Sequence, residues 1–149
     1  MKLLELKERG NFDLLKNWCL TIYNYMLFLD SSFSLEVEWF KGVIADAEKT
    51  SDIKLMKRVY KETNVLVRET LTSRLIEPLN IILKEKYGHD IADEMELETA
   101  TIQKIIKRGI IRNDDEFEMV KRREEEIYAD ESQFEYAEAL RNLMSDYES

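Results

Sequence analysis

One cysteine, one histidine, one proline and four glycines are spread over 149 residues, and each scarcity excludes something. The lone thiol, Cys19, cannot form an internal disulfide and points to a reducing, cytoplasmic setting. One cysteine and one histidine cannot make a zinc site of the usual spacing. Phosphate-cradling loops of the GxxxxGK or GxGxxG type are missing, as is the Glu-x-x-His pair of four-helix di-metal carboxylate centres. No cofactor and no metal is therefore expected. Long apolar runs are absent too: Tyr25 to Leu29 falls far short of the ~20 residues that a spanning helix needs. Met1 to Gly10 alternates charges and lacks the apolar core of a secretory signal, so neither membrane insertion nor export is expected.

Few turn residues and no run of alternating β-branched side chains leave helical periodicity as the dominant signal. The expected fold is all-α, a single-domain helical bundle of about six helices over residues 1–149. Its expected centre is the stretch from Ser51 to Tyr87, where Ile53, Met56, Tyr60, Val67, Leu71, Leu75 and Ile82 fall near one line of an α-helix. A straight helix of that length would reach ~55 Å, against a radius of gyration of ~15 Å for a compact chain of this size. Pro78 lacks an amide hydrogen and disfavours helical geometry at Glu77, so a kink or break is expected between Thr72 and Pro78. Otherwise the helix projects and meets a partner, which makes a homodimer the expected state.

Around this centre, the chain divides at its capping residues. A helix opens after Asn11 and buries Phe12, Leu15, Trp18, Cys19, Ile22, Met26 and Leu29. The next is capped by Ser32 or Ser34 and turns Val37, Phe40, Ile44 and Ala47 inward, with Trp39 and Val43 at the edge. Thr50, Ser51 and Asp52 cap the long central helix, and Gly88 ends it. A helix from about Thr99 to Arg108 buries Ile102, Ile105 and Ile106 and stops at Gly109. Asn113 or Asp114 opens the next, with Phe117, Val120 and Ile127 inward. Ser132 and Glu135 spell a capping box for the last, whose apolar face is Phe134, Ala137, Leu140, Leu143 or Met144, and Tyr147. Short connections make these last three helices antiparallel neighbours.

Several side chains suggest chemistry but have a plainer reading. His89 beside Asp90 has no second catalytic group fixed near it, so it reads as a solvated loop residue. Cys19 reads as a buried apolar thiol. Asn64, in the middle of the central stripe, reads as a satisfied core amide or a partly exposed one. Asp90, Asp93, Glu94 and Glu96 read as a hydrated turn rather than a magnesium site. No positioned acid–base pair stands out, and an enzyme is not expected.

Charge is the most informative feature. Residues 1–112 carry 18 basic and 18 acidic side chains, whereas residues 113–149 carry 4 and 13, so the net charge of -9 resides in the last quarter. The candidate partner-binding residues are Asp114, Asp115, Glu118, Glu124, Glu125, Glu126, Asp130 and Glu131, within an acidic helical hairpin over 113–149. Such a surface repels phosphate, making nucleic acid an unexpected ligand there, and attracts a basic protein. The competing surface is a basic flank from Lys54 to Arg68, including Lys57 and Lys61, which would suit a regulatory or nucleic-acid-associated helical dimer.

The segment Arg108-Gly109-Ile110-Ile111-Arg112-Asn113-Asp114-Asp115-Glu116-Phe117-Glu118 resembles the helix, glycine, helix connection near the C-terminus of many small bacterial all-helical proteins. Some of these are uncharacterised, and some are thought to be immunity proteins that neutralise a toxin domain. The likeness spans Thr99 to Tyr147 and implies a small cytoplasmic binder without catalysis. Both lines lead to a noncatalytic interaction module whose acidic C-terminal helices bind a basic partner, and the resemblance further implies an immunity-type inhibitor with a toxin domain as that partner.

Overall fold

Helical periodicity decides the architecture. The computed structural model describes residues 12–149, and over these the chain is all-α, with seven helices and no strand. Expectations for Met1 to Asn11, including the cap at Asn11, lie outside the described residues. The helices form two compact units, and the chain passes from one to the other between Glu94 and Met95. No helix among the described residues is long and apolar enough to cross a membrane.

The first unit contains α1 (Phe12–Leu29), a 3-10 turn (Ser31–Phe33), α2 (Ser34–Thr50), α3 (Ile53–Thr70), α4 (Ser73–Tyr87) and the first turn of α5 (Ile91–Arg108). Its contacts fix an up-down-up-down order. Lys16 meets Glu48 and Tyr23 stacks on Phe40, so α1 and α2 are antiparallel. Trp18 packs on Tyr60 and Asn64 while Tyr23 meets Thr63, an almost constant offset that makes α1 and α3 parallel. Thr21 reaches Tyr87 and Tyr25 reaches Leu75, which sets α4 antiparallel to α1. Val37, Phe40, Ile44 and Ala47 face the core as their spacing predicts, and Trp39, placed at the edge, is 61% exposed.

The stretch from Ser51 to Tyr87 is two helices, with a break at Leu71 and Thr72. Both residues have extended backbone there, and the Thr70 hydroxyl donates back to the Leu66 carbonyl. Thr70, Thr72 and Ser73 make this a weak helical segment, because β-branched and hydroxyl side chains favour extended backbone and caps. The break precedes Pro78, which stands within α4. It also resets the helical phase: Leu79 and Leu83 are fully buried, whereas Leu75, on the extrapolated stripe, is 40% exposed. With no single long helix, the length argument for a dimer disappears.

Capping chemistry sets most of the remaining boundaries. Ser51 takes the left-handed conformation that ends α2, and the Asp52 carboxylate accepts the Leu55 amide to open α3. Gly88 and Gly109, at φ 73° and 83°, terminate α4 and α5 in the backbone region that glycine enters without a Cβ penalty. Two expectations need correction. Asp30, not Ser32 or Ser34, caps the connection into α2 by accepting the Ser32 amide. The acids from Asp90 to Glu96 are not a loop, since α5 begins at Ile91 with Asp90 and Asp93 capping each other's amides. A reciprocal pair of this kind satisfies two free amides of a helix start.

The second unit holds the rest of α5, then α6 (Asp114–Ile127), a 3-10 turn (Glu131–Gln133) and α7 (Phe134–Glu148). Glu98 pairs with Arg122 and Arg108 with Glu116, so α5 and α6 are antiparallel. Asp114 meets Tyr147 and Glu124 meets Arg141, so α6 and α7 are antiparallel as well. Ile102, Ile105, Ile111, Val120, Ala137 and Leu140 form the centre of its core. Phe134, expected on the apolar face of α7, is 59% exposed. The capping box does not form: Asp130 accepts both the amide and the hydroxyl of Ser132, and α7 opens at Phe134 after that turn.

Candidate functional site

Two places deserve comparison as sites: the polar cluster inside the first unit and the acidic exterior of the second. In the first unit, Trp18 Nε1 donates to Asn64 Oδ1 at 2.7 Å. The Tyr60 hydroxyl donates to Glu94, and His89 Nε2 lies 3.3 Å from the same carboxylate oxygen. His89 is 7% exposed and packs edge-on against Trp18, so the solvated loop residue expected from sequence is a core residue. Its burial follows from Gly88, whose left-handed turn folds the chain back over Trp18. Of the two readings of Asn64, the core amide with a partner is the one found.

This cluster has the components of acid–base chemistry in an unfavourable setting. Burial pushes the Cys19 thiol up to about 12, which leaves it protonated and a poor nucleophile. Burial also raises Tyr60 and Tyr23 well above the phenol range, with the Glu94 charge adding to the effect at Tyr60. Two surface depressions lie elsewhere. One is lined by Arg141, Met144, Ser145, Glu148 and Ser149, the other by Phe12, Asp13, Glu48, Ser51 and Ile53. Hydrogen bonds among buried polar groups of this kind specify one packing of the helices.

In the second unit, residues 95–149 carry 8 basic and 15 acidic side chains, a net -7. The eight candidate residues separate into three kinds of environment. Asp114 accepts the Tyr147 hydroxyl at 2.5 Å, Glu124 is half-buried 3.6 Å from Arg141, and Glu126 is 3.4 Å from Arg123. The first two contacts join α6 to α7, and the third is a pair within α6. Asp130 is occupied as the cap of the 3-10 turn. Asp115, Glu118, Glu125 and Glu131 are exposed, with no side-chain partner among the described residues.

On α6, Val120 and Ile127 face the core, while Asp115, Glu118 and Glu125 fall within about 80° of each other on the outer side. The structure does not gather all eight into one patch. Asp114 and Asp115 lie at one end of α6, while Glu124 to Glu131 surround the turn some 15–20 Å along it.

Sequence reasoning passed over two aromatic side chains on this surface. Tyr128 and Phe134 flank the α6–α7 turn, 68% and 59% exposed beside Glu125, Asp130 and Glu131. Their hydrophobicity disguised them, since an aromatic next to an apolar face scores as core. Glu135 and Glu138 continue the acidic exterior along α7, on the side opposite Ala137, Leu140 and Leu143. Glu135 carried a capping role in the sequence reading that the structure does not give it.

The basic flank of the first unit is present on α3. Lys54, Arg58 and Lys61 are exposed and Lys57 is half-buried, and none of these four has an ion partner among the described residues. Arg68, further along, is half-buried and engaged. Among the described residues, no group of three His, Cys, Asp or Glu side chains converges as a metal ligand set. No family model, curated protein or solved structure matches this chain.

Proposed function

We propose that this protein is a noncatalytic interaction module that holds a basic protein partner against the acidic exterior of its second unit. The observation that carries this reading is the contrast between two sets of carboxylates. Glu98, Glu116, Glu124 and Glu126 are paired with arginines of the same unit. Asp115, Glu118, Glu125 and Glu131 face outward without partners, beside the exposed rings of Tyr128 and Phe134. Unpaired charge of one sign steers an oppositely charged surface, and exposed aromatics provide the apolar and cation–π contacts that anchor it. A toxin domain with a basic active site is the kind of partner this surface fits, which makes the immunity-type role in the cytoplasm our specific reading.

The test is positional. Asp115, Glu118, Glu125 and Glu131 changed together to Lys should slow and weaken binding of a poly-lysine probe at low salt. The same four-fold change to Lys in the first unit, at Glu36, Glu38, Glu62 and Glu69, should leave it nearly unchanged. Equal losses from both variants would mean that the probe responds to net charge alone, and the surface would lose its claim. These four positions suit the experiment better than Glu124 and Glu126, whose replacement also breaks internal pairs. An oligonucleotide bound in preference to poly-lysine would favour the competing role for α3.

A further inference from the structure

The two units carry unpaired charge of opposite sign in matching rows. On α3, Lys54, Lys57, Arg58 and Lys61 stand at intervals of 0, 3, 4 and 7 residues, within about 100° of one another on the outer face. Glu131, Glu135 and Glu138 stand at intervals of 0, 4 and 7. The last two lie on the outer face of α7, and the first is in the 3-10 turn that runs directly into it. All three acids are exposed and without a side-chain partner among the described residues. The cation within α7, Arg141, is drawn aside to Glu124.

We infer that the α3 row of one molecule docks on the α7 row of a second copy. The spacing supports this in either direction. With the helices antiparallel, Glu131, Glu135 and Glu138 fall opposite Lys61, Lys57 and Lys54. With the helices parallel, they fall opposite Lys54, Arg58 and Lys61. The α3 row is about 10–12 Å long, and Glu135 and Glu138 stand about one turn apart on α7 with Glu131 in the turn before them, so ion pairs can form along α3 without either helix bending. Phe134, 59% exposed beside Glu135, adds an apolar contact next to these charges. Every copy carries both rows, so each molecule offers one row and can receive the complementary row of another. Between molecules of net charge -9, remote repulsion is screened beyond ~8 Å at ~0.15 M salt, whereas direct contacts persist.

The inference rests on the acidic exterior being a binding surface, and it names a second copy as one occupant. Sedimentation velocity over micromolar to hundreds of micromolar protein at ~0.15 M salt should show a concentration-dependent species at twice 17.8 kDa. At ~1 M salt its dissociation constant should rise at least about ten-fold. Lys54→Glu with Lys61→Glu should abolish self-association, and so should Glu131→Lys with Glu138→Lys. Mixing these two charge-reversed proteins should restore a dimer, because each then offers the row the other lacks. Circular dichroism of both variants should match the parent.

A parent that stays at 17.8 kDa throughout overturns the inference, as do variants that associate like the parent or a mixture that stays monomeric. A parent that binds poly-lysine yet never self-associates sinks this inference and leaves the proposed function standing.

Discussion

The hydrogen bond between Trp18 and Asn64 gives the sharpest test of how the first unit is held. Trp18 is fully buried, Asn64 is 7% exposed, and the indole nitrogen donates to the amide oxygen at 2.7 Å. Asn64→Leu removes the acceptor and leaves the indole N–H in an apolar interior, at a cost of about 1–3 kcal/mol. With a urea slope of ~1 kcal/mol/M for a unit of this size, the midpoint should fall by about 1–3 M. Trp18 can report this directly in a Trp39→Phe background, because Trp39 is exposed and its ring makes little of the core.

Removing both partners separates the hydrogen bond from packing. Trp18→Phe with Asn64→Leu, followed by circular dichroism, should be less destabilised than the sum of the single changes by about 1 kcal/mol or more. Strict additivity, or an Asn64→Leu protein as stable as its parent, would refute the assignment of Asn64 as the acceptor that fixes Trp18.

Cys19, buried with its thiol pushed up to about 12, should not react with an aromatic disulfide reagent at mildly alkaline pH until denaturant unfolds the first unit; prompt labelling of native protein would contradict that burial. Partial burial pushes the Glu116 carboxyl up, but the Arg112 amide and the Arg108 guanidinium outweigh it and hold the group below its ordinary value. A depressed carboxylate stabilises the fold above its unfolded value of ~4.3 and loses that contribution as pH falls through the folded value. Glu116→Gln should therefore lower the thermal midpoint at pH 7 and matter progressively less below about pH 4; a difference that does not change with pH would count against it.

Local chemistry made much of the fold legible. The 3.6-residue period of α2 selected Val37, Phe40, Ile44 and Ala47, all of which are buried. Gly88, Gly109 and Asn113 act as terminators and cap, because left-handed backbone and free first-turn amides impose the same demand wherever a helix ends. The break near Thr72 was less legible. Proline is a strong signal, but the chain used the weaker helical segment of Thr70 to Ser73, and the break then rephased α4 onto Leu79 and Leu83. At the candidate surface, the concentration of charge after Arg112 was open to counting. Which carboxylates were already engaged was not.

The sequence by itself determined that this protein is helical, where most of its helices end and where its negative charge is concentrated. Those properties depend on neighbours within a turn or two of the chain. Tertiary structure alone decided that His89 lies against Trp18, that Tyr128 and Phe134 face outward, and that the carboxylates divide into paired and free. Burial and pairing depend on groups brought together across the chain, as Glu124 is with Arg141, 17 residues on, and Trp18 with Asn64 and His89, 46 and 71 residues on. No periodicity within a single helix records which partner will arrive there.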